Sequence, residues 1–403
     1  MRKLALGLLC LVAFAIPWES AVVIGDIGSL PRFLGMSAAA SGLLAVVVTG
    51  RLRRPGVALV LTGAYVLWNA LTLFWTVAPE MSATRVETYL QLALLAWLIW
   101  EFAPTPRAQH AVLRAYLVGA CVSILTSIAG VVSGTVAESR ATAFGADPND
   151  LGLMLALGIP SAWHLLLTSR RRAARWLYGA YIPAAIVTVL LTASRGALLA
   201  TTVATAAVFA SSARASLRVK VSALLLAAAT VYAAPRLVPQ ASWQRLAAGR
   251  EEIESGTLSY RLVIWRVGAL QFLRHPVAGV GAGGFPATTV ASLGRPYAAH
   301  NAYLGILVEQ GLIGFGIFVA LCTVLLRRLT QLPPLQRHLC VALGLTWAVG
   351  VASLSWEHRK PTWFVLGMLV AQTGAVCPAR RRVRGSRAQS RPLMEARPCS
   401  PLP

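Results

Sequence analysis
Twelve apolar blocks follow one another along this chain, and they decide what it can fold into. They fall near 4–24, 33–50, 56–75, 86–102, 110–132, 150–168, 177–193, 197–213, 219–234, 301–326, 339–356 and 362–377. Most run for about 17 to 25 residues, the length at which a helix crosses the hydrocarbon core of a bilayer. Composition agrees: 57% of the 403 residues are hydrophobic and only 13% charged, about half the roughly 25% expected of a soluble chain. A cytosolic globular enzyme, a disordered tail protein and a disulfide scaffold are therefore excluded. The expectation is an all-α integral membrane protein with about twelve transmembrane helices. The seventh and eighth blocks are short and separated only by Ser194-Arg195-Gly196, which admits either a helical hairpin or one kinked helix.

A net charge of +23 would suggest nucleic acid in a soluble chain. In a membrane chain it is read through the positive-inside rule. Met1-Arg2-Lys3, Arg51/Arg53/Arg54, Arg107, Arg170–Arg172 with Arg175, Arg214/Arg218/Lys220, Arg327/Arg328/Arg337 and the tail arginines fall on alternate loops. They make up 23 of the 37 Lys and Arg, and of the 14 acids only Glu101 and Glu395 accompany them. This predicts both termini on the cytoplasmic side. The first block starts basic, as a signal peptide does. Pro17-Trp18-Glu19 stands where cleavage would occur, so it is read as a span.

The chain then divides into helices 1 to 9 (1–234), a loop domain (235–300), helices 10 to 12 (301–377) and a basic tail (378–403). The tail is rich in Arg and Pro without apolar periodicity, suited to resting on anionic headgroups. The long loop lies on the external face and carries Trp243, Trp265, Phe272 and Phe285, with a helix predicted over 259–274. It is expected to fold onto the bundle. None of the six cysteines lies in it, so neither a disulfide nor a zinc site is supported.

The external face collects Arg140, Arg195, Arg236, Arg245, Arg250, Arg261, Arg266, Arg274 and Arg295. Fixed guanidinium forks suit a phosphorylated or diphosphate-linked lipid, although any single one also reads as an interfacial anchor. Arg195 fits the anchor reading least, standing between two apolar blocks with no acidic neighbour. Arg261 and Trp265 share a helix face at i,i+4. The Gly-rich stretch His275–Phe285 offers either an anion-binding nest or a plain turn. It lacks the Lys-Ser/Thr ending of a nucleotide loop, which excludes ATP.

His300 stands at the mouth of the bundle, where it would accept or orient the proton of an acceptor hydroxyl, or simply cap a helix. His110, His164 and His338 have no convergent polar partners, and His358 lies in a short external loop beside Arg359 and Lys360. Asp147-Pro148-Asn149-Asp150 reads first as a helix cap after a proline turn. No acidic cluster has metal-ligand spacing, so nothing here requires a metal.

Taken in order, these motifs resemble the O-antigen ligase/polymerase-like family. The residues concerned are Arg140…Asp147-Pro148-Asn149-Asp150-Leu151-Gly152, Ser194-Arg195-Gly196, Tyr260-Arg261…Trp265…His275-Pro276…Gly279-Val280-Gly281…Phe285 and His300-Asn301-Ala302-Tyr303-Leu304…Glu309…Gly311. Leu71–Glu80 adds the pattern such proteins show after their third span, and the likeness covers roughly 65–325. The resemblance implies a GT-C-type glycosyltransferase of the bacterial inner membrane, acting on the periplasmic face without nucleotide, metal or other cofactor. Its donor would be an undecaprenyl-diphosphate-linked glycan and its acceptor lipid A-core, with membrane lipids around it and no nucleic-acid partner. Catalytic roles would fall to His300, Arg195 and Arg261, and substrate binding to Arg140, Asn149, Arg266, Asn301 and Tyr303. A single long loop favours a ligase over a polymerase. A membrane anion transporter is a weaker alternative, because the ionisable residues cluster at the outer rim and not at mid-membrane. A non-catalytic envelope scaffold is weaker still.

Overall fold
Each of the twelve apolar blocks contains a helix in the computed structural model, which describes residues 1–25, 28–134, 140–211, 217–248 and 260–374. The basic tail, Arg214, Arg250 and Ser259 lie outside the described residues. The bundle helices are α1 (Arg2–Ala15), α2 (Leu30–Thr49), α3 (Val57–Leu71), α4 (Pro79–Phe102), α5 (Pro106–Val132), α6 (Pro148–Thr168), α7 (Arg172–Leu191), α8 (Arg195–Ser211) and α9 (Leu217–Leu237). Short helices α10 (Gln240–Ala247), α11 (Arg261–Arg274) and α12 (Phe285–Leu293) follow. The bundle then resumes with α13 (Ala302–Leu329), α14 (Pro334–Val351) and α15 (Lys360–Gly374). Val23–Ile24 and Gly28–Ser29 pair as a two-residue antiparallel ribbon between α1 and α2.

Among the described residues, six helical segments are long and apolar enough to cross a membrane: Leu30–Thr49, Val57–Phe74, Pro106–Val132, Pro148–Thr168, Arg172–Leu191 and Ala302–Leu329. The shortfall from twelve has visible causes. Helices α1, α8 and α15 have 17 residues or fewer, and α4 carries Glu80, Arg85, Glu87 and Glu101. Proline or a capping side chain marks several starts, as at α5, where Thr105 Oγ1 accepts from the Ala108 amide before Pro106.

Helix α6 runs through the centre. Fully 83% of its apolar window is buried, against 22% for α2 at the periphery. It packs on α5, α7, α8 and α14, and small residues allow the close approach. A Cβ on Gly152 would lie 2.5 Å from that of Ala197 in α8, and one on Gly350 in α14 would lie 2.2 Å from Leu153. The α6–α8–α14 contact therefore has little freedom to slide, and it sits directly beneath the α7–α8 turn.

Charged residues gather at the two ends of the bundle. At one end the Arg2 guanidinium donates to buried Glu101 at 2.6 Å, the Arg53 amide donates to the same carboxylate at 3.0 Å, and Arg53 lies 4.0 Å over the Trp100 ring. These residues belong to loops that the basic alternation groups on one side. At the other end Glu19 accepts from Lys360 at 2.6 Å, and Asp150 accepts from Arg359 at 3.2 Å.

Helix α13 is broken at Gly311, whose φ of 64° and ψ of −167° leave helical geometry. The Gly-rich stretch fills that break. The Leu312 amide donates to Pro276 O (2.8 Å), the Val280 amide to Val308 O (2.9 Å) and the Gly281 amide to Glu309 O (2.9 Å). Backbone groups freed by a helix break inside a packed bundle need such partners. Further amides of the stretch, from Gly283 and Phe285, donate to the Glu309 carboxylate, and that of Ala282 donates to Thr72 Oγ1. These donors are committed within the chain, so the stretch serves as a strap across α13. The turn reading, not the anion nest, describes it.

Candidate active site
The turn between α7 and α8 carries Arg195. The chain makes a true hairpin and not one kinked helix: Ala193 has φ 49°, and its amide closes on Leu190 O. The Thr192 hydroxyl accepts from the Ser194 amide, and Ser194 Oγ accepts from the Ala197 amide at 3.3 Å. Ser194 thereby caps α8 and puts Arg195 on its first helical turn. Gly196 follows because a Cβ there would stand 2.0 Å from Ser353 Oγ.

Arg140 is stitched to the same turn. Its Nε donates to Thr192 O at 2.7 Å and its Nη2 to Asn149 Oδ1 at 2.6 Å, while the Ala141 amide donates to Leu191 O. Asp147 caps α6, accepting from the amides of Asn149 (2.7 Å) and Asp150 (3.4 Å). The capping reading thus describes Asp147, while the Asn149 side chain faces Arg140.

Two groups arrive from the long loop. Arg261 opens α11, and the Trp265 indole one turn on donates to Ala299 O at 2.9 Å. That bond ties α11 to the residue preceding His300. Burial pushes the His300 imidazole below the ordinary histidine range, and Arg261 adds to the effect while Asp147 opposes it. Burial likewise lowers the Arg140 guanidinium. Asp147 works against that shift, and Arg245, Arg261 and Arg195 work with it. These influences link Arg140 to Arg195, Arg245 and Arg261, and Arg261 to His300, with Asp147 acting on both Arg140 and His300.

Electrostatic magnitude says what such a cluster is for. Two like charges ~8 Å apart repel by about 2 kcal/mol at an effective dielectric of 20. Guanidiniums standing together carry that cost for each pair. An anion entering among them relieves it.

Backbone strain marks the same place. Among the described residues, the non-glycine positions with positive φ are Phe144 (54°), Ala193 (49°), Tyr260 (69°) and His300 (47°). Each is a cluster residue or lies within five positions of one. Such geometry persists only where its surroundings hold it.

Other candidates have different employment. Asn301 Oδ1 accepts from the Leu304 amide at 3.1 Å as the cap of α13, and the Tyr303 hydroxyl donates to Ala348 O at 2.8 Å. Arg266 lies exposed on α11. The Arg236 guanidinium folds back over Tyr232, 3.9 Å from its ring centre, as an interfacial anchor would. His110 and His164 correct the expectation that they lack polar partners, because their Nε2 atoms meet at 3.1 Å between α5 and α6.

Sequence reasoning missed a buried ionic group beside the site. Arg85 Nη1 lies 3.6 Å from Glu357 Oε1, to which His358 Nδ1 is bonded at 2.8 Å. Glu309 adds its charge to that of Arg85, and the Gln310 amide donates to the Tyr89 hydroxyl at 3.2 Å. Ionisable residues inside apolar helices were the available signal. Their partners, far apart in sequence, were not.

Residues 180–319 match a family model described as O-Antigen ligase. That segment holds Arg195, Arg245, Arg261 and His300, whereas Arg140 and Asn149 precede it. No curated protein matches the chain. Over residues 180–319 the chain is thus similar to the O-antigen ligase family.

Proposed function
We propose that this protein is an O-antigen ligase, transferring a glycan from undecaprenyl diphosphate to lipid A-core. The observation that supports it is that Arg261 and Asp147 act on both His300 and Arg140, with Arg195 beside Arg140. Such enzymes are glycosyltransferase-like and act on lipid-linked glycans. The sugar–diphosphate bond would supply the driving force. Arg195 and Arg261 would stabilise the charge that develops on the departing diphosphate, a preorganised contribution worth several kcal/mol of barrier. His300, held neutral by burial and Arg261, would take the proton of the acceptor hydroxyl as its oxygen attacks the anomeric carbon from the opposite face. The anomeric C–O bond to the diphosphate breaks and the configuration inverts, in a GT-C-type reaction that we read as metal-independent.

Arg140 would hold a diphosphate oxygen from its seat on Asn149. Arg266, Asn301 and Tyr303 remain proposed substrate contacts, the last two through atoms beyond the bonds they already make. The protein would be a multi-pass protein of the inner membrane with about twelve spans and both termini cytoplasmic. The loop domain (235–300) and the site would face the periplasm.

Purified protein, an undecaprenyl-diphosphate glycan and lipid A-core, mixed with EDTA present, test this reading. Glycan on lipid A-core, lost in His300→Ala and Arg261→Ala, is the expected result. Lengthening of the donor on its own lipid would make the protein a polymerase. No product under any condition would sink the transferase reading and favour an anion transporter.

A further inference from the structure
The loop between α14 and α15 (352–359) touches three of the elements that carry the cluster, and the chemistry above uses none of it. Ser353 fills the space left by Gly196, the neighbour of Arg195, and its hydroxyl is fixed by donation to Gly350 O at 3.0 Å. Ser355 Oγ accepts the backbone N–H of His300 at 2.9 Å. The Trp356 indole donates to Asp150 Oδ1 at 2.7 Å, and Arg359 donates to Asp150 Oδ2 at 3.2 Å. Asp150 is next to Asn149, which seats Arg140. One short loop therefore contacts the Arg195 turn, the His300 backbone and the start of α6.

The Ser355 contact matters most. His300 precedes the Asn301 cap, so its amide lies outside the hydrogen-bond ladder of α13. Its φ of 47° is a conformation that a non-glycine residue leaves unless it is held. Turning that peptide would redirect the imidazole. The loop is itself firmly seated: Trp356 is 1% exposed, and Glu357 lies against Arg85 and His358.

We propose that the 352–359 loop aligns the site and that Ser355 is a positioning residue for His300, acting through the His300 backbone. This inference rests on the glycosyl-transfer reading. In the full chain, Ser355→Ala is expected to lower kcat tenfold or more while the KM values for donor and acceptor stay within twofold. Ser355→Thr, which keeps the hydroxyl, restores the rate. Hydrogen exchange supplies an arm that does not depend on activity: Ser355→Ala should strip protection from 299–301 and leave α6 and α8 unchanged. Wild-type kcat in Ser355→Ala or unchanged exchange at 299–301 would each overturn the proposal. A wild-type protein that transfers no glycan would instead refute the transferase reading, and the exchange measurement would still decide whether Ser355 holds His300.

Discussion
His300 is held in the left-handed region at φ 47°, which costs a non-glycine residue about 1–2 kcal/mol. A site that depends on this geometry tolerates little change at it. Its depressed pKa gives a pH signature with a definite sign. Burial and Arg261 both disfavour the imidazolium, so the base stays neutral further into acid than an ordinary histidine does. The acid limb of kcat/KM for glycan transfer should then have its midpoint below the roughly 6.5 of an unperturbed imidazole. A midpoint at or above that value, measured over pH 4.5–8, would take His300 out of the base role. Arg261→Lys tests the guanidinium itself. It keeps the charge and removes the planar fork, so transfer should fall by about 10- to 100-fold while the fold survives. Full activity in that variant would reduce Arg261 to a generic cation.

At the scale of elements, the strap 275–285 across the break in α13 decides where Glu309 and the start of α12 sit. A Cβ on Gly311 would stand 2.3 Å from Val277 O, at a φ and ψ that essentially only glycine adopts. Gly311→Ala should therefore cost about 1–3 kcal/mol and lower the Tm in detergent, with transfer lost at temperatures the native protein tolerates. An unchanged Tm would mean that the break can heal into continuous helix. The helices themselves were legible: every apolar block contains a helix among the described residues, and the helix expected over 259–274 is described as Arg261–Arg274. The strap was not. Its glycines read as a turn before a nest, and the choice depends on whether a carbonyl from α13 or a foreign anion meets those amides.

For the whole molecule, the measurable claim is topology. Arg2, Arg53 and Glu101 meet at one end, and Glu19, Asp150, Arg359 and Lys360 at the other. Single cysteines introduced at positions 52 and 107 should be closed to a membrane-impermeant thiol reagent in intact cells, and those at positions 146 and 296 open to it. The reverse pattern would invert the orientation and with it the face on which the site works. The background for this labelling would need Cys10, Cys121, Cys322, Cys340, Cys377 and Cys399 replaced.

Composition and block length alone determined that the chain is helical and built for a bilayer, since no other arrangement hides so many consecutive apolar residues. The order of motifs, through its resemblance to a known family, proposed Arg140, Arg195, Arg261 and His300 as site residues; charge cost beside apolar spans picked out Arg195 alone. Tertiary structure decided the rest. Ser355 is an ordinary serine in the sequence, 55 residues from the amide it holds. Arg85, Glu309 and Glu357 come from three separate segments. Contacts of that kind leave no periodicity or spacing to read, because they are set by how α4, α13 and the 352–359 loop pack against one another and not by anything local to the chain.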